Sequence, residues 1–112
     1  MGQTRENSLT VLCVASFFKG NEFIRECRRR GARVILLTRE KMLGEPWARE
    51  SLDDLLAVPG RGEECDYLEA ATHAARRRRV TRVVALEEYD VLTAARVREY
   101  LCLPGQIGRA HV

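Results

Sequence analysis

Three carboxylates fall within four residues at Glu87-Glu88-Tyr89-Asp90, between the apolar run Arg82–Leu86 and a helical pattern that stops at Leu103-Pro104-Gly105. If that run is a strand of a parallel sheet, the acidic turn lies at the sheet's carboxyl edge, where open α/β sheets bind their ligands. Glu87 and Glu88 are adjacent, so on an extended chain their side chains diverge and one of the two faces a cleft. Asp90 stands where it would cap the next helix. A second charged group, Arg76-Arg77-Arg78-Arg79, has the clustered positive charge that phosphate neutralisation needs. It falls at the predicted end of a helix, where cations are favoured anyway, and no aromatic residues are interleaved for base stacking. We read it as a solvated end that compensates the helix dipole, and expect no nucleic-acid partner.

Other chemistries lack their spacing. The turn after the first strand is not GxGxxG, and no Gly-Lys-Ser/Thr run forms a P-loop. Cys13, Cys27, Cys65 and Cys102 are far apart, with no CxxC or Cys/His pattern for zinc or redox work, and are read as buried reduced thiols. His73 lies mid-helix with no partner in view and is given no catalytic role.

The elements that must position the acidic turn follow from pattern. The chain has 112 residues, 46% of them hydrophobic and 31% charged, the balance of one soluble domain that buries its own core. Its net charge of +3 is carried by 17 arginines and two lysines, a bias that weakens any argument from basicity to nucleic acid. No apolar run is long enough to span a membrane, and the N-terminus has neither the apolar core of a signal peptide nor, with Glu6 at the sixth position, a myristoylation site. A cytoplasmic location is expected.

Residues 1–7 are expected to fray. Ser8–Ala15 and Arg33–Thr38 read as buried strands, Asp54–Val58 as a third and Arg82–Leu86 as a fourth. Between them, Asn21 is expected to cap a helix with Phe23, Ile24 and Cys27 on one face and Gly31 as its left-handed stop. Lys41–Leu43 and the segment opened by Pro46 suggest isolated turns, with Trp47 as a lid on the sheet edge. Pro59-Gly60-Arg61-Gly62 closes the third strand, and Asp66 is expected to cap a helix with Tyr67, Leu68, Ala71, Ala74 and Ala75 as its apolar stripe. The last helix is expected to cluster Val91, Ala94, Ala95, Leu101 and Cys102. Arg98 interrupts that side, and we read it as a snorkelling stem. The order β-α-β-β-α-β-α implies an α/β fold: a Rossmann-like open parallel sheet of about four strands flanked by helices.

Gln106–Val112, QIGRAHV, does not continue the pattern. Its codons fit CAG ATC GGA AGA GCA CAC GTC, which contains a run similar to a common sequencing adapter. We therefore expect residues 1–105 to be the domain and 106–112 to be a non-native tail from adapter read-through, which strips Arg109 and His111 of functional weight.

With its strands placed, the text resembles the N-terminal, pre-ATP-grasp domain of ATP-grasp ligases, relatives of biotin carboxylase and carbamoyl-phosphate synthetase. The resemblance rests on TVLCVASFFKGNEFIRECRRRGARVILLTREK, PWARESLDDLLAVPG and RVVALEEYDVLTAARVREYLCLPG, nearly the whole of residues 9–105. It implies a parent enzyme that uses ATP and Mg2+ to activate a small carboxylate-bearing substrate as an acyl phosphate and joins it to an amine or thiol. The nucleotide- and metal-binding residues of such enzymes lie in domains outside this sequence, so the fragment alone is expected to bind neither and to be inactive. What the resemblance gives this domain is one wall of the substrate cleft. The matching positions are Ser16, Phe17, Lys19 and Gly20 after the first strand, and Glu87, Glu88 and Asp90 after the fourth. A stand-alone Rossmann-like binding or regulatory module is the alternative, and a basic nucleic-acid-binding protein a second.

Overall fold

A computed structural model of the protein describes residues 9–103. Four strands, β1 (Thr10–Ala15), β2 (Arg33–Arg39), β3 (Asp54–Val58) and β4 (Arg82–Ala85), form one sheet in the order β3-β2-β1-β4. Every pairing is parallel, with Thr10 opposite Arg33, Val11 opposite Arg82 and Ile35 opposite Asp54. The helices are α1 (Asn21–Arg29), α2 (Glu64–Arg77) and α3 (Val91–Tyr100). This is the open parallel α/β fold expected from the sequence.

Because β1 and β2 are covered on both faces, their apolar residues run without alternation, and Val11–Ala15 and Val34–Leu37 are all buried. Odd and even positions feed two separate cores. On the side of α2 and α3, Leu12, Val14, Ile35 and Leu37 meet Tyr67, Ala71, Ala74, Ala94 and Val97. On the side of α1, Val11, Cys13, Val34 and Leu36 meet Ile24, Trp47 and Ala48. The alanines of α2 let that helix lie close to the sheet.

Several local expectations are corrected. Gly20, not Asn21, precedes the first turn of α1, and the Asn21 side chain instead clamps the β2–β3 connection. Its amide donates to the Pro46 carbonyl at 3.0 Å and its oxygen accepts from Ala48 N–H at 2.8 Å. That clamp carries Trp47 into the α1-side core rather than onto a sheet edge; the indole N–H donates to the Met42 carbonyl and the ring meets Phe18 edge-on at 4.9 Å. Glu63 caps α2, and Asp66 reaches back to the Glu63 N–H at 3.0 Å as the second half of a capping box. On α3 the buried positions are Ala94 and Val97, while Val91 and Leu92 face solvent. Of the four thiols only Cys13 is fully buried, Cys27 is half-buried, and Cys65 and Cys102 are exposed. Arg98 is half-buried and donates to the Val83 carbonyl at 2.9 Å, a snorkelling stem with a backbone partner. In the basic run, Arg78 pairs with Asp54 at 3.0 Å and Arg77 approaches it at 3.9 Å.

The stops of α1 and α3 share one geometry. After α1, Gly31 is left-handed (φ 89°), Ala32 N–H reaches the Cys27 carbonyl and Gly31 N–H that of Arg28. After α3 the same two bonds run from Leu103 to Arg98 and from Cys102 to Glu99, and the left-handed residue is Cys102 (φ 59°). The sequence reading put Cys102 on the apolar side of α3; it is instead the stop. An L-residue in that conformation costs about 1–2 kcal/mol, partly offset by the flexibility glycine adds to the unfolded chain. Cys102→Gly is therefore expected to stabilise the protein by about 0.5–1 kcal/mol in urea unfolding; an unchanged or lower midpoint would show that the stop carries no strain. The expectations for residues 1–7, for Pro104-Gly105 and for the 106–112 tail lie outside the described residues.

Candidate functional site at the carboxyl edge of the sheet

β1 ends where Ser16 turns the chain toward α1, and β4 ends one residue before Leu86. The Leu86 N–H still bonds the Val14 carbonyl at 3.0 Å, so the two turns leave the sheet side by side. Gly20 (φ 102°) permits the contact: a Cβ there would stand 2.7 Å from Leu86 Cδ1 and 2.9 Å from Leu86 Cβ. Glu87 is extended (φ −152°, ψ 156°), and Asp90 N–H closes onto its carbonyl at 3.0 Å, folding Glu88–Asp90 into a single tight turn.

That turn aims Asp90 at Ser16. Asp90 occupies the position before α3, but its side chain makes no bond to the helix's own N–H groups, so its expected role as a cap is not what the geometry shows. Instead Oδ2 accepts from Ser16 N–H at 2.8 Å and Oδ1 accepts from Ser16 Oγ at 2.6 Å. With the Ser16 hydroxyl hydrogen committed to the carboxylate, the Tyr67 hydroxyl, 2.9 Å away, donates to Ser16 Oγ. The Ser16 carbonyl accepts from Arg39 Nε at 3.0 Å. One serine thus joins the end of β2, the start of α2 and the start of α3, with every polar atom used. Ser16, Tyr67 and Asp90 are each at least 97% buried, and Asp90 is in no salt bridge among the described residues, so its charge depends on these charge-assisted bonds. Burial, reinforced by the Asp90 charge, raises the Tyr67 phenol above its ordinary pKa, which keeps it a donor.

The remaining expected positions surround this knot. Phe17 stacks edge-on against Tyr89 with centroids 5.1 Å apart, and the Arg39 guanidinium lies over the Phe17 ring at 4.8 Å. Lys19 and Glu88 are exposed and Glu87 half-buried, with no side-chain bond among those described. Ser16, Phe17, Gly20 and Asp90 are therefore brought together, while Lys19, Glu87 and Glu88 stand around them. Sequence reasoning missed Arg39 and Tyr67. Arg39 is the last residue of β2, one beyond the predicted strand end, so extending that strand would have placed it on the same edge. Tyr67 was read only as part of an apolar stripe, although a buried tyrosine hydroxyl usually finds a partner.

No family model and no curated protein matches the chain. Among solved structures, the fold recurs in a ligase. The crystal structure of L-amino acid ligase from Bacillus licheniformis superposes with a TM-score of 0.68 over 88% of this chain, at 19% identity. The match covers 25% of that ligase, so this chain spans about a quarter of its length. At this identity the likeness is one of fold. Among the described residues no helix is long and apolar enough to cross a membrane.

Proposed function

We propose that the chain is the substrate-side domain of an ATP-grasp, ATP-dependent carboxylate–amine or carboxylate–thiol ligase of the cytoplasm, one wall of a cleft completed by an ATP-binding domain. The observation that carries this reading is the carboxyl edge itself. The buried Ser16–Asp90 tie fixes the two turns that an open α/β sheet uses for ligands, and leaves Phe17, Tyr89 and Arg39 at its rim. The fold shared with an amino acid ligase and the sequence resemblance both point the same way.

A ligase of this type uses ATP and magnesium, and the residues described here do not fit either. No three His, Cys, Asp or Glu side chains among them are grouped to hold a metal ion, and neither turn is a glycine-rich phosphate cradle. The reading assigns both to the domain across the cleft. The Arg77 and Arg78 pairing with Asp54 favours this reading over a nucleic-acid interface, because it draws two of the four clustered arginines onto an acidic partner.

The test is to read the genomic sequence beyond Gly105, express the protein it encodes, and trap acyl phosphate as hydroxamate with a panel of carboxylates. The expected result is a continuation with a Lys-bearing sheet and a late Glu/Asn metal pair, ATP-dependent hydroxamate from the longer protein, and none from the 112-residue chain. A stop codon directly after Gly105, or no hydroxamate from the longer protein with any carboxylate, would sink it.

A further inference from the structure

Arg39 is held more tightly than a rim arginine needs to be. Its Nε donates to the Ser16 carbonyl at 3.0 Å, its guanidinium rests on the Phe17 ring, and its stem packs so closely under Gly62 that a Cβ there would lie 2.6 Å from Arg39 Cδ. Three neighbours from two segments, the β1–α1 turn and the β3–α2 loop, thus fix one long side chain. The two terminal nitrogens make no hydrogen bond or ion pair among the described residues. They are not sealed in either. Among the described residues the one buried side-chain polar atom without a partner is Thr38 Oγ1, so the terminal nitrogens of this half-buried arginine reach solvent. A planar pair of donors, already immobilised and open at the carboxyl edge, is pre-organised to take the two oxygens of an anion.

The surroundings select the anion. Phe17 and Tyr89 stand beside it 39% and 68% exposed, an aromatic surface left uncovered next to the free donors. The Asp90 carboxylate is bonded to the same Ser16 whose carbonyl holds Arg39, and Glu87 opens the turn that carries Tyr89 and Asp90; this negative charge disfavours a dianion such as phosphate. We propose that Arg39, Phe17 and Tyr89 form a subsite for a monoanionic carboxylate carrying an apolar or aromatic body. The carboxylate meets the Arg39 terminal nitrogens and the body lies against the two rings. The subsite owes its purpose to the ligase reading above, and makes Arg39 the residue that anchors the substrate on this wall.

The experiment follows Arg39 Nε–H and the Phe17 and Tyr89 ring signals by NMR in the 112-residue chain, titrated with 3-phenylpropionate, 3-phenylpropionamide, acetate and inorganic phosphate. Phenylpropionate is expected to shift all three sets together, with an affinity about tenfold above those of the neutral amide and of acetate. Arg39→Gln is expected to lose that preference over the amide, and Gly62→Ala, which keeps the guanidinium but displaces its stem, to weaken it. Equal binding of acid and amide by the unsubstituted chain overturns the proposal without recourse to any variant. So does phosphate binding more tightly than phenylpropionate, or an Arg39→Gln chain with the parent's dispersed spectrum that still prefers the acid. Binding here needs no ATP: a chain that binds while the longer protein yields no hydroxamate refutes the ligase and spares the subsite, and the reverse refutes the subsite alone.

Discussion

Replacing Asp90 by alanine is expected to destabilise the protein by about 3 kcal/mol. The substitution removes the acceptor of both the Ser16 N–H and the Ser16 hydroxyl in a place water does not reach. A hydrogen bond to a charged group contributes about 1.5–3 kcal/mol, and each buried donor left without a partner costs about 1–3 kcal/mol. The two bonds share one residue, so their losses overlap rather than add. Asp90→Asn keeps an acceptor for one of them and should cost roughly half as much. For a domain of this size each kcal/mol moves the thermal midpoint by about 4–8 °C, so calorimetry separates the three proteins readily. An Asp90→Ala midpoint within about 3 °C of the parent would mean that the tie contributes nothing, and that Asp90 is dispensable to the fold.

Gly20→Ala is the second large effect, at about 2–4 kcal/mol. The backbone conformation at Gly20 costs an L-residue about 1–2 kcal/mol, and overpacking adds about 1–3 kcal/mol. The contact cannot be relieved by a rotamer change alone, because one of the atoms in the way is Leu86 Cβ, fixed to the backbone of the neighbouring turn. The turns must part, so the loss should be accompanied by shifted amide resonances at both Ser16 and Asp90 in an NMR spectrum. A loss under about 1 kcal/mol with those resonances in place would show that the turns do not depend on each other.

What could be read from the sequence was what depends on neighbours along the chain. The continuous apolar runs of β1 and β2 announced strands covered on both faces. Asp54–Val58 was placed to the residue, because Pro59-Gly60 ends it by backbone chemistry alone. Gly31 was legible as a helix stop because glycine alone adopts that conformation without strain, whereas Cys102, in the same role, carries no such mark. Helix starts were harder. Asn21 and Asp66 are good capping residues by type, but each had a stronger claim elsewhere: Asn21 on the Pro46–Ala48 backbone, Asp66 as the returning half of the Glu63 box. The candidate site was half legible. Its place at the carboxyl edge follows from topology, which alternating strands and helices imply. The Ser16, Arg39, Tyr67 and Asp90 network does not, because four residues from four elements share no spacing that periodicity could detect.

The position of β1 has a consequence for how the protein is made. β1 lies between β2, the next strand to leave the ribosome, and β4, which follows much later; the Thr10 N–H bond to Thr81 spans 71 residues and the Ser16 tie to Asp90 spans 74. Closing a loop about three times longer than that between β1 and β2 costs only about 1 kcal/mol more, so the delay is one of timing rather than stability. Until β4 emerges, one edge of the most apolar strand has nothing to pair with, and a chain in that state is open to partners of the wrong kind. Synthesis that stalls between α2 and β4 should therefore yield the species most prone to aggregate. The carboxyl edge is completed last, when Asp90 finally reaches Ser16.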